Sequence, residues 1–217
     1  MSNANHWLTI ALAKGRILPP TLELFERAGI DCSQLLGKTR KLIFSLEEHR
    51  LKFILAKPID IPTYVEYGVA DLGIVGKDIL LEQERVLYEL LDLKLGPCRI
   101  VVAEKEGVKP YTGNYVATKY PRITERHFHA LGKQIEIIKL HGSVELAPLL
   151  GLADSIVDLV STGRTLKDNN LQVVETIADI TSRLVANPGS YQVKGARVYW
   201  LVNILEKSLL TEGERPC

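Results

Sequence analysis

Apolar and polar positions along this chain follow two periods, and the switches between them mark the elements. Leu8 to Ala13 is a short apolar run suited to a strand, and Lys14-Gly15-Arg16 follows at once. Pro19 and Pro20 suit the first turn of a helix, Leu22, Phe25 and Ala28 recur at spacing three, and Gly29 stops it. Lys41 to Ser45 and Leu51 to Leu55 read as two short strands around a polar Glu47-Glu48-His49-Arg50 turn. Asp60-Ile61-Pro62 opens a short helix, with Asp60 as the capping candidate and Gly68 at its end. Asp71 to Val75 reads as a buried strand, and Gly76-Lys77-Asp78 leads into another helical stretch.

The alternation continues in the second half. Val101 to Ala103 is strand-like, and the 107–113 stretch around Pro110 is a turn-rich loop. Tyr115 to Thr118 reads as strand, Thr124 to Leu131 as helix ended by Gly132, and Ile135 to Leu140 as strand. Gly142 to Leu150 is a helix stopped by Gly151, Ser155 to Val160 a buried strand, and Val173 to Ala178 a strand. Ala196, Tyr199 or Trp200, Asn203 and Lys207 trace one face of a last helix, with Val198, Leu201, Val202 and Leu205 apolar on another. Strand and helix patterns alternating this often imply βαβ units and a largely parallel sheet. No internal repeat or low-complexity linker interrupts them.

Length narrows the architecture. At about 150 residues per domain, 217 residues make one large domain or two small ones. A chain of this size buries roughly 70% of its unfolded surface and needs no staples. The 27 Lys+Arg against 26 Asp+Glu give a net charge of +1, which argues against bulk attraction to nucleic acid and leaves room for a local basic pocket. Cys32, Cys98 and Cys217 are far apart and form no CxxC pair, so a reducing, cytoplasmic compartment fits. The Trp7 to Ala13 run is too short and too poorly flanked for a secretion signal, and no apolar stretch approaches the ~20 residues that span a bilayer.

The sharpest candidate for chemistry is the run from Asp154 to Leu166, in which an apolar strand ends in Ser161-Thr162-Gly163-Arg164-Thr165. Backbone N–H groups and hydroxyls in such a turn converge on an anion, Arg164 adds a charged fork, and Asp158 can accept from a vicinal diol. The same residues also read as a plain polar strand-to-helix turn. Lys14-Gly15-Arg16 is a second anion candidate at a strand's end, or a solvated basic loop. In Asp71-Leu72-Gly73-Ile74-Val75-Gly76, the glycines permit close approach by a ligand or serve packing. Gly142-Ser143-Val144-Glu145 offers donors beside a carboxylate, or a helix cap. No Walker A, GxGxxG, GxSxG or HExxH pattern is present, and the five histidines lack zinc spacing.

Five segments in order carry a resemblance: Leu-Ala-Lys-Gly-Arg (12–16), Asp-Ile-Pro-Thr-Tyr-Val (60–65), Gly-Val-Ala-Asp-Leu-Gly-Ile-Val-Gly-Lys-Asp (68–78), Gly-Ser-Val-Glu-Leu-Ala-Pro (142–148) and the run 151–166. From Leu8 to about Lys207 the chain resembles the ATP phosphoribosyltransferase family, which catalyses the first step of histidine biosynthesis. The resemblance implies an α/β fold of two lobes with mostly parallel sheets, like type II periplasmic binding proteins, with a cleft between them. Residues 1–95 plus 180–217 would form lobe I, and 96–179 lobe II, with the sugar-phosphate loop at 154–166.

The implied reaction joins N1 of ATP to C1 of 5-phosphoribosyl 1-pyrophosphate (PRPP), with Mg²⁺ on the departing pyrophosphate. By the same resemblance, Ser161, Thr162, Gly163, Arg164 and Thr165 would hold the 5-phosphate and Asp158 the ribose hydroxyls. Lys14 and Arg16 would face pyrophosphate or triphosphate, and Gly15, Asp71, Leu72, Gly73 and Gly76 would line the ATP site. Glu145 is the candidate general base, and no protein metal ligand is assigned. Where the family often has arginine before Pro-x-Asp-Ile-Pro, this chain has Lys57, which keeps the charge and loses the fork. An end at Cys217, soon after the last core helix, resembles the short form. That form works as a homodimer within a hetero-octamer with a histidyl-tRNA-synthetase-like regulatory subunit. The alternative from another class is a non-enzymatic binding module on the same two-lobed fold.

Overall fold

Alternate residues of β1 (Leu8–Ala13) pack on opposite faces of a sheet, and both faces are apolar. The computed structural model containing this strand describes residues 6–35, 40–107 and 113–210; the expectations for 1–5, for 108–112 of the loop and for Cys217 lie outside the described residues. After β1 come α1 (Leu18–Arg27), the hairpin of β2 (Ile43–Leu46) and β3 (Leu51–Ala56), α2 (Ile61–Glu66), β4 (Leu72–Gly76), α3 (Lys77–Gln83) and β5 (Tyr88–Asp92). A second group holds β6 (Cys98–Lys105), β7 (Tyr115–Thr118), α4 (Pro121–Ala130), β8 (Glu136–Lys139), α5 (Leu146–Leu149), β9 (Ser155–Val160), α6 (Arg164–Asp168) and β10 (Leu171–Ile180). The chain closes with β11 (Ser182–Ala186), α7 (Pro188–Val193) and α8 (Gly195–Leu210).

These elements form two compact units: Met1–Leu80, Glu84–Gly96 and Thr181–Cys217 in the first, Leu81–Gln83 and Pro97–Ile180 in the second. The first carries a sheet in the order β2-β3-β1-β4-β11-β5, the second a sheet in the order β10-β6-β9-β7-β8. Both sheets are mixed. β1 is parallel to β3 and β4, and β7 is parallel to β8 and β9, whereas the flanking pairs are antiparallel. The mostly parallel expectation therefore holds at the centre of the first sheet and along the β9-β7-β8 side of the second, and gives way elsewhere to antiparallel pairs. A tight hairpin such as β2–β3 can only be antiparallel. β11 starts beside Gly76, at the carboxyl end of β4, and so runs against it.

In the first unit Leu8, Ile10 and Leu12 of β1 face Leu22 and Phe25 of α1 and Val198, Leu201 and Leu205 of α8. Ala11 and Ala13 face the other way, against Ile61 and Val65 of α2. This period of two, with helices over both faces, makes three layers. Phe25 and Phe53 meet edge to face at 5.3 Å, an arrangement favoured by the ring quadrupoles. In the second unit Ile156 and Val160 of β9 pack toward Ala147 and Leu166, and Val157 packs toward Ile123 and Phe128 of α4. No helix among the described residues is long and apolar enough to cross a membrane.

Three local expectations change. Asp60 makes no side-chain cap; Pro58–Asp60 form a 3-10 turn that runs into α2. The helix expected from Gly142 shrinks to the four residues of α5, because Ser143 takes a positive φ of 48° and breaks the helical path before it. The strands β5 and β11 and the helix α7 add to the elements read from the sequence.

Candidate functional site

At the carboxyl edge of the second sheet, β9 delivers the Ser161–Thr165 turn into α6. Val160 before the turn and Leu166 after it are buried and anchor both ends in the core, while Ser161, Thr162, Arg164 and Thr165 are exposed. Gly163 sits at the N-cap of α6 with φ +76°, a backbone that L side chains resist. Thr162 Oγ1 accepts from the Arg164 N–H at 3.4 Å, and the Arg164 guanidinium lies 3.5 Å from Asp168 in an exposed pair. First-turn N–H groups have no intrahelical acceptor, so the turn presents N–H groups and exposed hydroxyls beside a cation whose pairing with Asp168 is solvent-exposed.

Asp158 stands on β9 three residues before that turn, its side chain 14% exposed. Its Oδ1 accepts from the N–H of Leu159 at 2.7 Å and lies 2.9 Å from Lys119 Nζ. Lys119 did not figure among the sequence candidates. Only the parallel register of β7 and β9, with Thr118 opposite Val157, makes it a neighbour of Asp158. The 140–145 stretch leaves the same edge after β8, tied by the Leu140 N–H to the Thr118 carbonyl at 2.9 Å. Glu145 is half-buried at the N-cap of α5 without a side-chain cap bond. The N–H groups of Leu146 and Ala147 donate to the Ser143 and Val144 carbonyls, closing the turn that leads into α5.

At the carboxyl edge of the first sheet lie Lys14, Gly15 and Arg16, all exposed, with Gly15 at φ +98°. Ala13 pairs with Ala56, so Lys57 joins them, and Gly76 ends β4 at the same edge. Asp71, Leu72 and Gly73 are not brought there. The register of Ile10 with Leu72 places them at the opposite end of the sheet. Asp71 accepts from Thr9 N–H (2.8 Å), Ser190 Oγ (2.7 Å) and Lys194 Nζ (2.8 Å), so its carboxylate is committed to joining β1, β4 and the α7–α8 turn. Leu72 is core, and a Cβ on Gly73 would come within 2.7 Å of Val65 and 2.8 Å of Ile61. These three thus serve packing at the far end of the strand, whereas Gly15 and Gly76 lie at the carboxyl edge.

Beside Gly76 lies an ion cluster. Asp92 accepts from Thr181 Oγ1 (2.7 Å) and Lys94 Nζ (2.6 Å) and is bonded by Arg183, while Lys77 and Arg183 both meet Glu89. Burial alone would raise the Asp92 carboxyl, but the bonds from Lys94, Thr181 and Arg183 together hold it well below the usual range. Cys32 and Cys98 are buried and in no disulfide; burial, then the Glu26 and Asp31 carboxylates, push the Cys32 thiol up to about 12. A reactive thiol needs the reverse environment.

Known proteins match this arrangement over nearly its whole length. The family model described as HisG: ATP phosphoribosyltransferase matches residues 57–207. ATP phosphoribosyltransferase 2 of Geobacter sulfurreducens is 54% identical over 207 residues, covering 93% of this chain and 98% of its own. The ATP phosphoribosyltransferase of Geobacillus sp. (strain WCH70) is 54% identical over 92% of this chain and 98% of its own. Among solved structures, a chain of the ATP phosphoribosyl transferase (HisG:HisZ) complex from Thermotoga maritima aligns with a TM-score of 0.81 at 34% identity, covering 94% of this chain and 99% of that one. The VFT2 domain of Bordetella pertussis BvgS aligns at 0.57 and 12% identity over 94% and 86%, a likeness of fold alone.

Proposed function

This chain belongs to the ATP phosphoribosyltransferase family, and we propose on that premise how its residues divide the work. The reaction transfers the 5-phosphoribosyl group of PRPP to N1 of ATP, giving N1-(5-phosphoribosyl)-ATP and pyrophosphate, the first step of histidine biosynthesis. Ser161 to Thr165 hold the 5-phosphate through hydroxyls, first-turn N–H groups and Arg164, and Asp158 accepts from the ribose hydroxyls. Lys14 and Arg16 meet pyrophosphate or triphosphate oxygens, Gly15 and Gly76 border the ATP site, and Glu145 is the candidate base for the proton on the adenine side.

Displacement at the anomeric carbon builds oxocarbenium character, so orientation and charge stabilisation supply most of the rate and no covalent nucleophile is required. Around 158–165 the donors are hydroxyls, N–H groups and the Arg164 guanidinium, with the Asp158 carboxylate as acceptor, a set suited to a sugar phosphate whose own oxygens carry Mg²⁺. When bound, that ion neutralises charge on the departing pyrophosphate. The likeness to a chain of a HisG:HisZ complex supports a HisZ-like regulatory subunit as partner. The proposal extends to a histidyl-tRNA-synthetase-like character for that subunit, to a homodimer of this chain inside a hetero-octamer, and to a cytoplasmic setting.

The observation that carries the reading is the turn after β9, with Gly163 in the left-handed region and Asp158 three residues upstream of the turn. Incubating ATP, PRPP and Mg²⁺ with the chain and a HisZ-type subunit should release pyrophosphate and yield N1-(5-phosphoribosyl)-ATP. Absence of both products with the assembled complex would sink it.

A further inference from the structure

Two adjacent parallel strands place a cation against Asp158 at the sugar-phosphate edge, and the backbone around them is clamped. Thr118, fully buried, donates its hydroxyl to the Val157 carbonyl at 2.7 Å and accepts from the Tyr120 N–H at 2.9 Å. That one hydroxyl ties the end of β7 to β9 and fixes where Lys119 and Asp158 emerge. Lys119 Nζ then meets Asp158 Oδ1 at 2.9 Å, and the same oxygen takes the Leu159 N–H at 2.7 Å. Asp158 Oδ2 makes no hydrogen bond among the described residues. On the other side of β9, Asp158 is in register with Val101, which is buried and apolar and adds no charge. The carboxylate is therefore held by one oxygen and left with the lone pairs of the other.

An unpaired carboxylate would be a poor neighbour for PRPP, since like charges repel strongly where water is partly excluded. A cation bonded to its far oxygen offsets that repulsion and locks the rotamer, which removes an ordering cost from binding. We propose that Lys119 is a positioning residue of the PRPP site: it holds Asp158 by Oδ1 and offsets its charge, so that Oδ2 accepts from the ribose diol of an anionic sugar phosphate. The proposal rests on the reading of Asp158 as the ribose-binding group.

The test is calorimetric titration of the full-length chain with Mg²⁺-PRPP, and separately with ATP, for Lys119→Met, Lys119→Arg, Asp158→Asn and the double variant Lys119→Met/Asp158→Asn. Lys119→Met should weaken PRPP roughly tenfold and leave ATP unchanged, Lys119→Arg should recover most of the loss, and adding Lys119→Met to Asp158→Asn should cost less than about twofold. The pair is partly exposed, so all four variants should keep the parent melting temperature; Lys119→Arg keeps the comparison usable if the methionine variant misfolds. Full PRPP affinity in Lys119→Met, with Asp158→Asn weakened, overturns the positioning role, and additive losses overturn it in favour of a direct contact. Undiminished PRPP binding in Asp158→Asn instead overturns the underlying placement of the ribose.

Discussion

Lys194 Nζ donates to Asp71 Oδ2 at 2.8 Å, closing a contact between residues 123 apart in sequence. Asp71 is 5% exposed, and its two oxygens also serve Thr9 and Ser190. Lys194 further donates to the Trp7 carbonyl at 2.9 Å. Replacing Asp71 by Ala strands three donors in a site with little water, at a cost of about 3 kcal/mol. Urea unfolding should read that loss, while PRPP and ATP affinities of the folded fraction stay at the parent level. A collapse of ATP affinity at unchanged stability would return Asp71 to the substrate site.

Gly163 separates backbone strain from ligand space. A Cβ there would meet only Val160 Cγ1 at 3.9 Å, an ordinary contact, so packing does not exclude a side chain. The φ of +76° does penalise one, by about 1–2 kcal/mol for alanine. Asparagine tolerates that region, so Gly163→Asn should unfold at higher urea than Gly163→Ala. Both should lose PRPP affinity by more than about tenfold, because either side chain enters the space the 5-phosphate would fill. Recovery of PRPP binding in step with stability would reduce Gly163 to a turn residue.

Gly73 is glycine for a different reason. Its backbone is ordinary strand, but a methyl group would drive into Val65 and Ile61 of α2. Overpacking of this kind costs about 1–3 kcal/mol. Gly73→Ala should lower the urea midpoint, and Val65→Ala in the same chain should restore part of the loss, because the two changes share one space. Strict additivity of the two destabilisations would remove the packing account.

How much of this was readable in advance depends on how local each signal is. β1, α1, β9 and α8 show in the periodicity because apolar positions alone define them. β5 and β11 are hidden by Glu89, Asp92 and Arg183, which look like loop residues until pairing puts Arg183 opposite Asp92. α7 begins with Asn187-Pro188-Gly189, a turn signature that becomes a cap when Asn187 accepts from the Ser190 N–H at 2.9 Å. Asp71 and Gly76 lie in one motif but at opposite ends of a strand, a separation that only register reveals. Lys119 was silent for the same reason. Its partner is 39 residues away, and nothing in either segment announces that β7 and β9 are neighbours.

The Asp92 cluster makes a pH-dependent contribution whose sign follows from its bonds. Lys94, Thr181 and Arg183 favour the ionised form in the folded chain, so the folded value lies below the ordinary 3.8 that the unfolded chain keeps. A depressed folded value means stability that is fully present above the unfolded value and is lost as pH falls through 3.8 toward the folded one. Asp92→Asn keeps the shape but abolishes the titration, and it leaves Arg183 with Glu89 as its only acid among the described residues. At pH 7 the variant should therefore unfold at lower urea than the parent, and the gap should narrow steadily between pH 5 and pH 3. Part of the gap should survive 1 M salt, because the Arg183 and Asp92 side chains are only 17% and 23% exposed and are screened less than surface pairs. A gap that widens on acidification would mean that Asp92 is not the ionised hub of this cluster.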